Sequence, residues 1–479
     1  MKKIWKCVVP GLFLTILLKG ICLASDIKKA DELFVKGTFQ EALNEYELVF
    51  KETTDTEMRW KAFFRVCESQ AHLFRYGEAA EKLISTPVPQ QMPHHARILI
   101  LKAEMFRNFL MQYSSIQRGD VIDEEKGKDV FRLTPDEIKE EIRGTYKQLW
   151  ELRDELAMID IKQEGYFLNI NDIDFGMYPT LFDYLILSWT DFLLNVEALK
   201  ITEGMIKPKA DLLLVEEIKL PVNLEDSPAL IAAELMEAAS RFSQKGRLEA
   251  AQRCKIKRLL LPATYPNLFD LRDLAENKTL FDQKDLLEYK ERAKNILLKW
   301  MEIFKTDEAK AEAGYEAAVI LNSANKFTEA LKLCRNLEEN FPGTHASRHA
   351  QVLSSTIQIP QLSLKAKTVM PPANEAFTIT TKNLKAVYFR IYQVNPQILK
   401  DEFISYRTKE FGRSYEDFDG WSNLFNLFWS YDDWGKKWLR SYLSGKTPHK
   451  TWTYETGDKG DYASISKTVS LRNWAQGFI

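Results

Sequence analysis

At 479 residues the chain is too long for one ordinary core, so two or three domains are expected. Its 45% hydrophobic and 28% charged content is that of a folded soluble chain. A net charge of −2, with no basic stripe along the sequence, argues against a phosphate-backbone ligand, so no nucleic-acid partner is expected.

Residues 1–24 read as a signal peptide. Lys2, Lys3 and Lys6 form a basic start, Val8 to Leu18 an apolar run, and Cys22-Leu23-Ala24 a cleavage site after Ala24. The run is short for a membrane span and Lys19 interrupts it. Ile21 before Cys22 argues against lipid attachment there. The expected location is periplasmic, cell-surface or extracellular, with the chain either free or tethered by an uncleaved signal. Cys7 and Cys22 fall in the signal, which leaves Cys67, Cys254 and Cys334. An odd number in an exported chain is not a disulfide framework. The cysteines and histidines show no metal-ligand spacing, and His94-His95 reads as a polar helix start after Pro93. Neither a metal nor a cofactor is expected.

Residues 25–115 read as tetratricopeptide-like helical repeats. Ala30, Leu33, Gly37, Phe39, Ala42 and Tyr46 have the spacing of one unit, in which small residues let two antiparallel helices approach. Phe74-Arg75-Tyr76-Gly77-Glu78-Ala79 echoes Gly37-Thr38-Phe39-Gln40-Glu41-Ala42 at an offset of 37 residues rather than 34, which predicts a longer turn between units. Pro87, Pro89 and Pro93 break the pattern before a helix resumes from Ala96 to Met111.

Residues 116–226 are expected to be an irregular helical region. Gly119 to Gly127 is a charged loop. Thr134-Pro135-Asp136-Glu137 is a helix start whose helix should reach Met158. Tyr178 to Tyr184 leads into an apolar stretch ending near Leu194, on which Trp189 and Phe192 serve either as core or as part of a ligand pocket. Residues 227–358 return to helical repeats. Ser227-Pro228 reads as a cap with proline at the first helical position, and Gly246 supplies a turn. Ala318, Leu321, Phe327, Ala330, Cys334, Leu337 and Pro342 fit one 34-residue frame, with Asn325 where glycine is usual. Stacked pairs of this kind form an α-solenoid whose concave face commonly binds a protein or peptide.

At Pro360 the period becomes two. Leu362, Leu364 and Ala366 alternate with polar residues, as do Phe377, Ile379 and Thr381, and then Val387, Phe389 and Ile391. An insertion over residues 397–448 carries Trp421, Phe425, Phe428, Trp429, Trp434 and Trp438, either as one face of short helices or as an exposed aromatic patch. Strands return at Trp452 and Tyr454 and at Ala463, Ile465, Val469 and Leu471. Residues 359–479 are therefore expected to form an antiparallel β-sandwich. Its next strand would begin at Gly477-Phe478-Ile479, so the domain is expected to be incomplete and the chain a fragment of a longer protein.

The order of these parts resembles the N-terminal region of the bacterial α2-macroglobulin family, in its long Bacteroidetes-type form. Tyr178-Pro179-Thr180-Leu181-Phe182-Asp183-Tyr184 is similar to an Arg-Pro-Thr-Leu-Tyr-Asp-Phe stretch in that family's helical region. Asn340-Phe341-Pro342-Gly343, followed by Ile359-Pro360-Gln361-Leu362-Ser363-Leu364, resembles its passage into the first macroglobulin (MG2-like) strand. Asn383 to Tyr392, and Asp461-Tyr462 with Leu471 and Gly477-Phe478, resemble its later strand signatures. The resemblance implies an exported endopeptidase inhibitor, a protease trap whose partners are target endopeptidases. Many members also carry a thioester within Gly-Cys-x-Glu-Gln. This sequence has no such stretch. Cys67-Glu68-Ser69-Gln70 keeps only the spacing and sits at a helix packing position. The bait segment is likewise not recognisable. The alternative is an exported adaptor that binds a protein through its repeats. An enzyme is not expected: His-Glu-x-x-His, Gly-x-Ser-x-Gly and Gly-x-x-x-x-Gly-Lys-Ser/Thr are absent, and Glu140-Glu141 reads as a solvated helix face. No catalytic residue is assigned.

Overall fold

The computed structural model describes residues 27–113, 130–168, 170–171, 173–198, 207–215, 227–244, 246–271, 283–366, 376–393, 395–411 and 433–470. The expected signal peptide, the charged loop at 119–127 and the closing residues 471–479 lie outside them. The chain forms two compact units, Met1–Ala313 and Gly314–Ile479. Helices dominate, with antiparallel sheet confined to the C-terminal part.

In the first unit, residues 27–35 form α1. They are followed by α2 (Phe39–Glu52), α3 (Thr56–His72), α4 (Tyr76–Ser85) and α5 (His94–Tyr113). The turn before α2 places Gly37 at φ +81°, and the turn before α4 places Phe74 at φ +59°. Both turns close the same way: the Thr38 amide donates to the Leu33 carbonyl at 3.1 Å and the Arg75 amide to the Gln70 carbonyl at 2.8 Å. This is the left-handed stop that satisfies the last carbonyls of a helix. Two positions later Phe39 and Tyr76 open the next helix, and five positions later Ala42 and Ala79 are both fully buried. The three extra residues of the offset lie in α3, which runs 17 residues against 14 in α2. The link between these helices is only Thr53–Asp55, so the expected longer turn is not what absorbs them.

Thr134 and Glu137 cap α6 (Pro135–Glu151) reciprocally, the Thr134 amide donating to Glu137 Oε2 at 2.9 Å and the Glu137 amide to Thr134 Oγ1 at 3.2 Å. The helix stops earlier than expected. Leu152, at φ −91° and ψ 10°, separates it from the short α7 (Arg153–Leu156). Then α8 (Leu181–Phe192) widens into a π-turn over Leu193–Glu197. α9 (Pro228–Ser243) and α10 (Leu248–Thr264) pair across Gly246. Pro228 takes the first helical position as expected, but the Ser227 side chain makes no capping bond. Close approach of this pair is fixed by Ser240 Oγ, which donates to the Ala251 carbonyl at 2.9 Å. α11 (Gln283–Ile303) follows, and α12 (Asp307–Ser323) spans the boundary between the units.

The second unit contains α13 (Phe327–Asn340) and α14 (His345–Gln358). Asn325, at φ +59°, holds the turn before α13, and the Lys326 amide donates to the Leu321 carbonyl at 2.9 Å. The Gly37 and Phe74 arrangement thus recurs, with Phe327 two positions on and the fully buried Ala330 five positions on. After Pro360 come β1 (Gln361–Ala366), β2 (Ala376–Lys382), β3 (Ala386–Ile391), α15 (Pro396–Phe411), α16 (Asp433–Ser444), β4 (Lys450–Glu455) and β5 (Ile465–Ser470). The strands form two antiparallel sheets, β1-β2-β5 and β3-β4. Ile379 is paired with Leu364 on one side and Lys467 on the other. Alternation sends Ile379 and Val387 inward and Tyr388 outward, with Tyr388 78% exposed. Phe389 stacks on Trp452 at 4.6 Å within its sheet and meets Phe377 of the other sheet at 5.5 Å. β5 begins at Ile465, so Ala463 precedes the strand expected to contain it.

Candidate functional site

Cys67 lies fully buried in α3 among packed helices, and burial pushes its thiol up to about 12. A thiol so far above its ordinary value is almost entirely protonated near neutral pH and is a poor nucleophile. Gln70 is also buried. Cys254 and Cys334 are buried free cysteines as well. Trp189 and Phe192 belong to the core: Trp189 stacks on Tyr146 at 5.5 Å and Phe192 is fully buried. His94 opens α5 after Pro93 as expected, but it is not a solvated position. It is 3% exposed, and its Nε2 lies 2.7 Å from Glu57 Oε2. In the aromatic insertion, Trp438 is buried against Phe403, Tyr406 and Tyr442, which joins α15 to α16. Trp421, Phe425, Phe428, Trp429 and the Trp434 side chain lie outside what is described.

Among the described residues of the first unit is a polar arrangement that no motif predicted. An irregular stretch, residues 160–168, 170–171 and 173–180, reaches several helices in turn. Asp160 starts it by accepting the Lys162 amide at 2.9 Å, which sets up the 3-10 turn Ile161–Glu164. Glu164, 1% exposed, takes both arms of Arg97 from α5, at 2.7 and 2.9 Å. The same guanidinium lies 3.9 Å over the Phe167 ring. Tyr166 donates to Asp31 Oδ1 at 2.9 Å, and Tyr46 donates to the same oxygen at 2.6 Å. Arg65 of α3 lies between the Phe34 and Tyr166 rings, at 4.6 and 4.3 Å, and bonds Glu68 at 2.6 Å. Further along, Asp174 takes Arg253 of α10 at 2.6 Å. Arg253 also donates to Glu312 and, at 3.3 Å, to Glu249.

The stretch ends on the residues that carried the family resemblance. The Thr180 amide and hydroxyl both donate to Asp183 Oδ2, at 3.0 and 2.6 Å. Arg247, the residue after Gly246, donates to Asp183 at 2.8 Å and to Thr180 Oγ1 at 2.7 Å. Phe182 is fully buried against Phe242 at 4.8 Å. Thr180-Leu181-Phe182-Asp183 therefore starts α8 and fastens it to the α9–α10 pair. On the irregular stretch Glu164 and Asp174 meet arginines of α5 and α10, while Asp183, in the first turn of α8, meets Arg247 just before α10. These charge-assisted bonds hold shape, although burial raises the Asp183 carboxyl above its ordinary value.

A second set of polar groups pairs across α5, α6 and α8, with Tyr146 fully buried and Glu104, Tyr184 and Ser188 half-buried. Tyr184 donates to Glu104, Tyr146 and Ser188 share a hydrogen bond at 2.8 Å, and Arg107 meets Asp191 at 2.5 Å. Burial pushes the Glu104 carboxyl above its ordinary value, and nearby Glu68 adds to the rise. Burial likewise raises Glu68 despite its bond to Arg65. Among the described residues, no group of three or more His, Cys, Asp or Glu side chains is arranged to hold a metal ion. Sequence reasoning missed Arg97, Arg253 and Glu164. The available signal was a set of charges inside runs that packing made apolar, such as Arg97 between Ala96 and Ile98.

No family model and no curated protein matches this chain.

Proposed function

We propose that the chain is the N-terminal part of an exported, non-catalytic endopeptidase inhibitor of the macroglobulin type. In this reading its helical pairs form a tetratricopeptide-like solenoid and its sheets a macroglobulin-type sandwich. The observation that carries it is the threefold recurrence of one hairpin geometry. Gly37, Phe74 and Asn325 hold the same left-handed turn, each with a buried alanine five positions later. The contact between Phe377 of one sheet and Phe389 of the other, at 5.5 Å, supports the sandwich. The stretch from Thr180 to Asp183 supports the family likeness, because its bonds give those residue types a physical reason to be there.

The test adds the full-length protein, of which this chain is the proposed N-terminal part, to an endopeptidase acting on a large protein substrate. Protection of the substrate supports the trap. Undiminished cleavage beside folded full-length protein overturns it.

A second reading, an exported adaptor without inhibitory action, is favoured by the hairpin tips. Val35 is 86% exposed and Phe74 71% exposed, each at or beside a left-handed turn. Apolar side chains held out at turn positions suit a protein partner. Co-purification of a partner from the wild type, lost in a Val35→Ser, Phe74→Ser double variant, separates this reading from the first.

A further inference from the structure

The passage at Pro360 from helix to strand has the composition of a hinge but is tied on both sides within the second unit. α14 ends at Gln358 and β1 begins at Gln361. Register pairs Gln361 with Lys382, the last residue of β2. This brings the β2–β3 turn over the end of α14. Asn383 opens that turn in the left-handed region, at φ +56°, a conformation asparagine tolerates. Its Nδ2 donates to the Ile357 carbonyl at 2.7 Å and to the Ile359 carbonyl at 3.2 Å. The Lys382 ammonium lies 3.5 Å from the Thr356 carbonyl and 5.4 Å over the Phe327 ring. A cation there also favours the negative end of the helix. The turn is gripped from its other side by Thr456, fully buried, whose hydroxyl donates to the Leu384 carbonyl and whose amide donates to the Lys385 carbonyl at 3.0 Å. Tyr462, in the loop before β5, packs into the apolar cluster of Leu321, Ala330, Leu331 and Ile357.

We infer that the α13–α14 hairpin and the strands β1–β3 form one rigid elbow, with Asn383 as the latch. β2 and β3 lie in different sheets, so the latch stands where the chain crosses from one sheet to the other. A force or partner that tilts the hairpin must then tilt the sheets with it. Asn383 is a positioning residue. It acts by capping carbonyls that α14 leaves unpaired.

Hydrogen exchange on the full chain tests this with three variants. Asn383→Gly keeps the left-handed backbone and removes the amide, Asn383→Asp keeps the shape but can only accept, and Asn383→Ala removes both. All three are expected to exchange at least tenfold faster at the end of α14 and across residues 384–386, with α2–α4 unchanged. Wild-type protection in Asn383→Gly would overturn the latch, because asparagine would then be present only for its backbone. Rigidity is read separately by spin labels on Val352→Cys and Tyr388→Cys, both exposed positions. One narrow distance distribution is expected, broadening with Asn383→Gly. A broad distribution in the otherwise wild-type chain overturns the elbow.

Discussion

Arg258 in α10 and Asn383 in the β2–β3 turn both donate to main-chain carbonyls, Arg258 to Val215 at 2.6 Å and Asn383 to Ile357 and Ile359. Their surroundings differ. Arg258 is fully buried and charged, and its partner Glu237 is 2% exposed. Asn383 is neutral and half-buried, beside an apolar cluster closed by Tyr462. The first region fixes irregular chain with buried charge, where desolvation is costly and each ion depends on its partner. The second fixes a turn with a neutral amide, whose hydrogen bonds contribute about 0.5–1.5 kcal/mol each and involve no ion to desolvate. Damage should therefore be severe and non-additive in the first region, and mild and local in the second.

The largest effect tests the charged side of that contrast. Glu237→Ala strands the Arg258 guanidinium, already lowered in basicity by burial, and should cost about 3–5 kcal/mol in urea denaturation. Glu237→Met combined with Arg258→Leu should recover most of the loss, since an apolar pair needs no counter-charge. A double variant no better than the single one would remove the contrast.

Smaller effects should follow the repeated hairpin in both units. Ala330→Leu and Ala42→Leu fill fully buried slots of equivalent geometry, and each should cost about 1–3 kcal/mol. Unequal losses would show that the shared turn does not carry shared packing. Phe74→Gly should stabilise by about 0.5–1 kcal/mol. It relieves a left-handed conformation costing roughly 1–2 kcal/mol, offset by the greater freedom of unfolded glycine. The same change at Asn325 should gain less.

The mildest prediction concerns pH. Burial, with Arg97 adding to it, holds His94 below its ordinary value of 6.5 despite the opposing Glu57. Its contribution is therefore fully present above that ordinary value and is lost as pH falls through the lower folded value. His94→Gln should flatten the decline in melting temperature below pH 6.5 relative to the wild type.

What the sequence displayed was local chemistry. The Thr134 cap, the turns at Gly37 and Asn325 and the alternation through Phe377, Ile379 and Thr381 all act over a few residues, so their signals lie close together. Phe74 was legible only through the echo that sets it against Gly37, because a bulky residue occupies a slot that glycine or asparagine would announce. Burial of His94 was hidden, because its partner lies on another helix at Glu57. The Arg97–Glu164 pair joins residues 67 apart, and a bond at that separation leaves no period to read. The break at Leu152 has no glycine or proline to mark it.

Asp31 accepts hydrogen bonds from Tyr46, 15 residues away, and from Tyr166, 135 residues away. A ribosome adding about 5–20 residues per second needs roughly 7–27 s to supply the second after Asp31 has emerged. During that interval the opening helices can pair with one another but stay without their outer brace, exposing the surface that Tyr166 and Phe167 later cover. The start of the chain is thus made first and finished late. Its vulnerability to aggregation and proteolysis is a matter of timing during synthesis as much as of final stability.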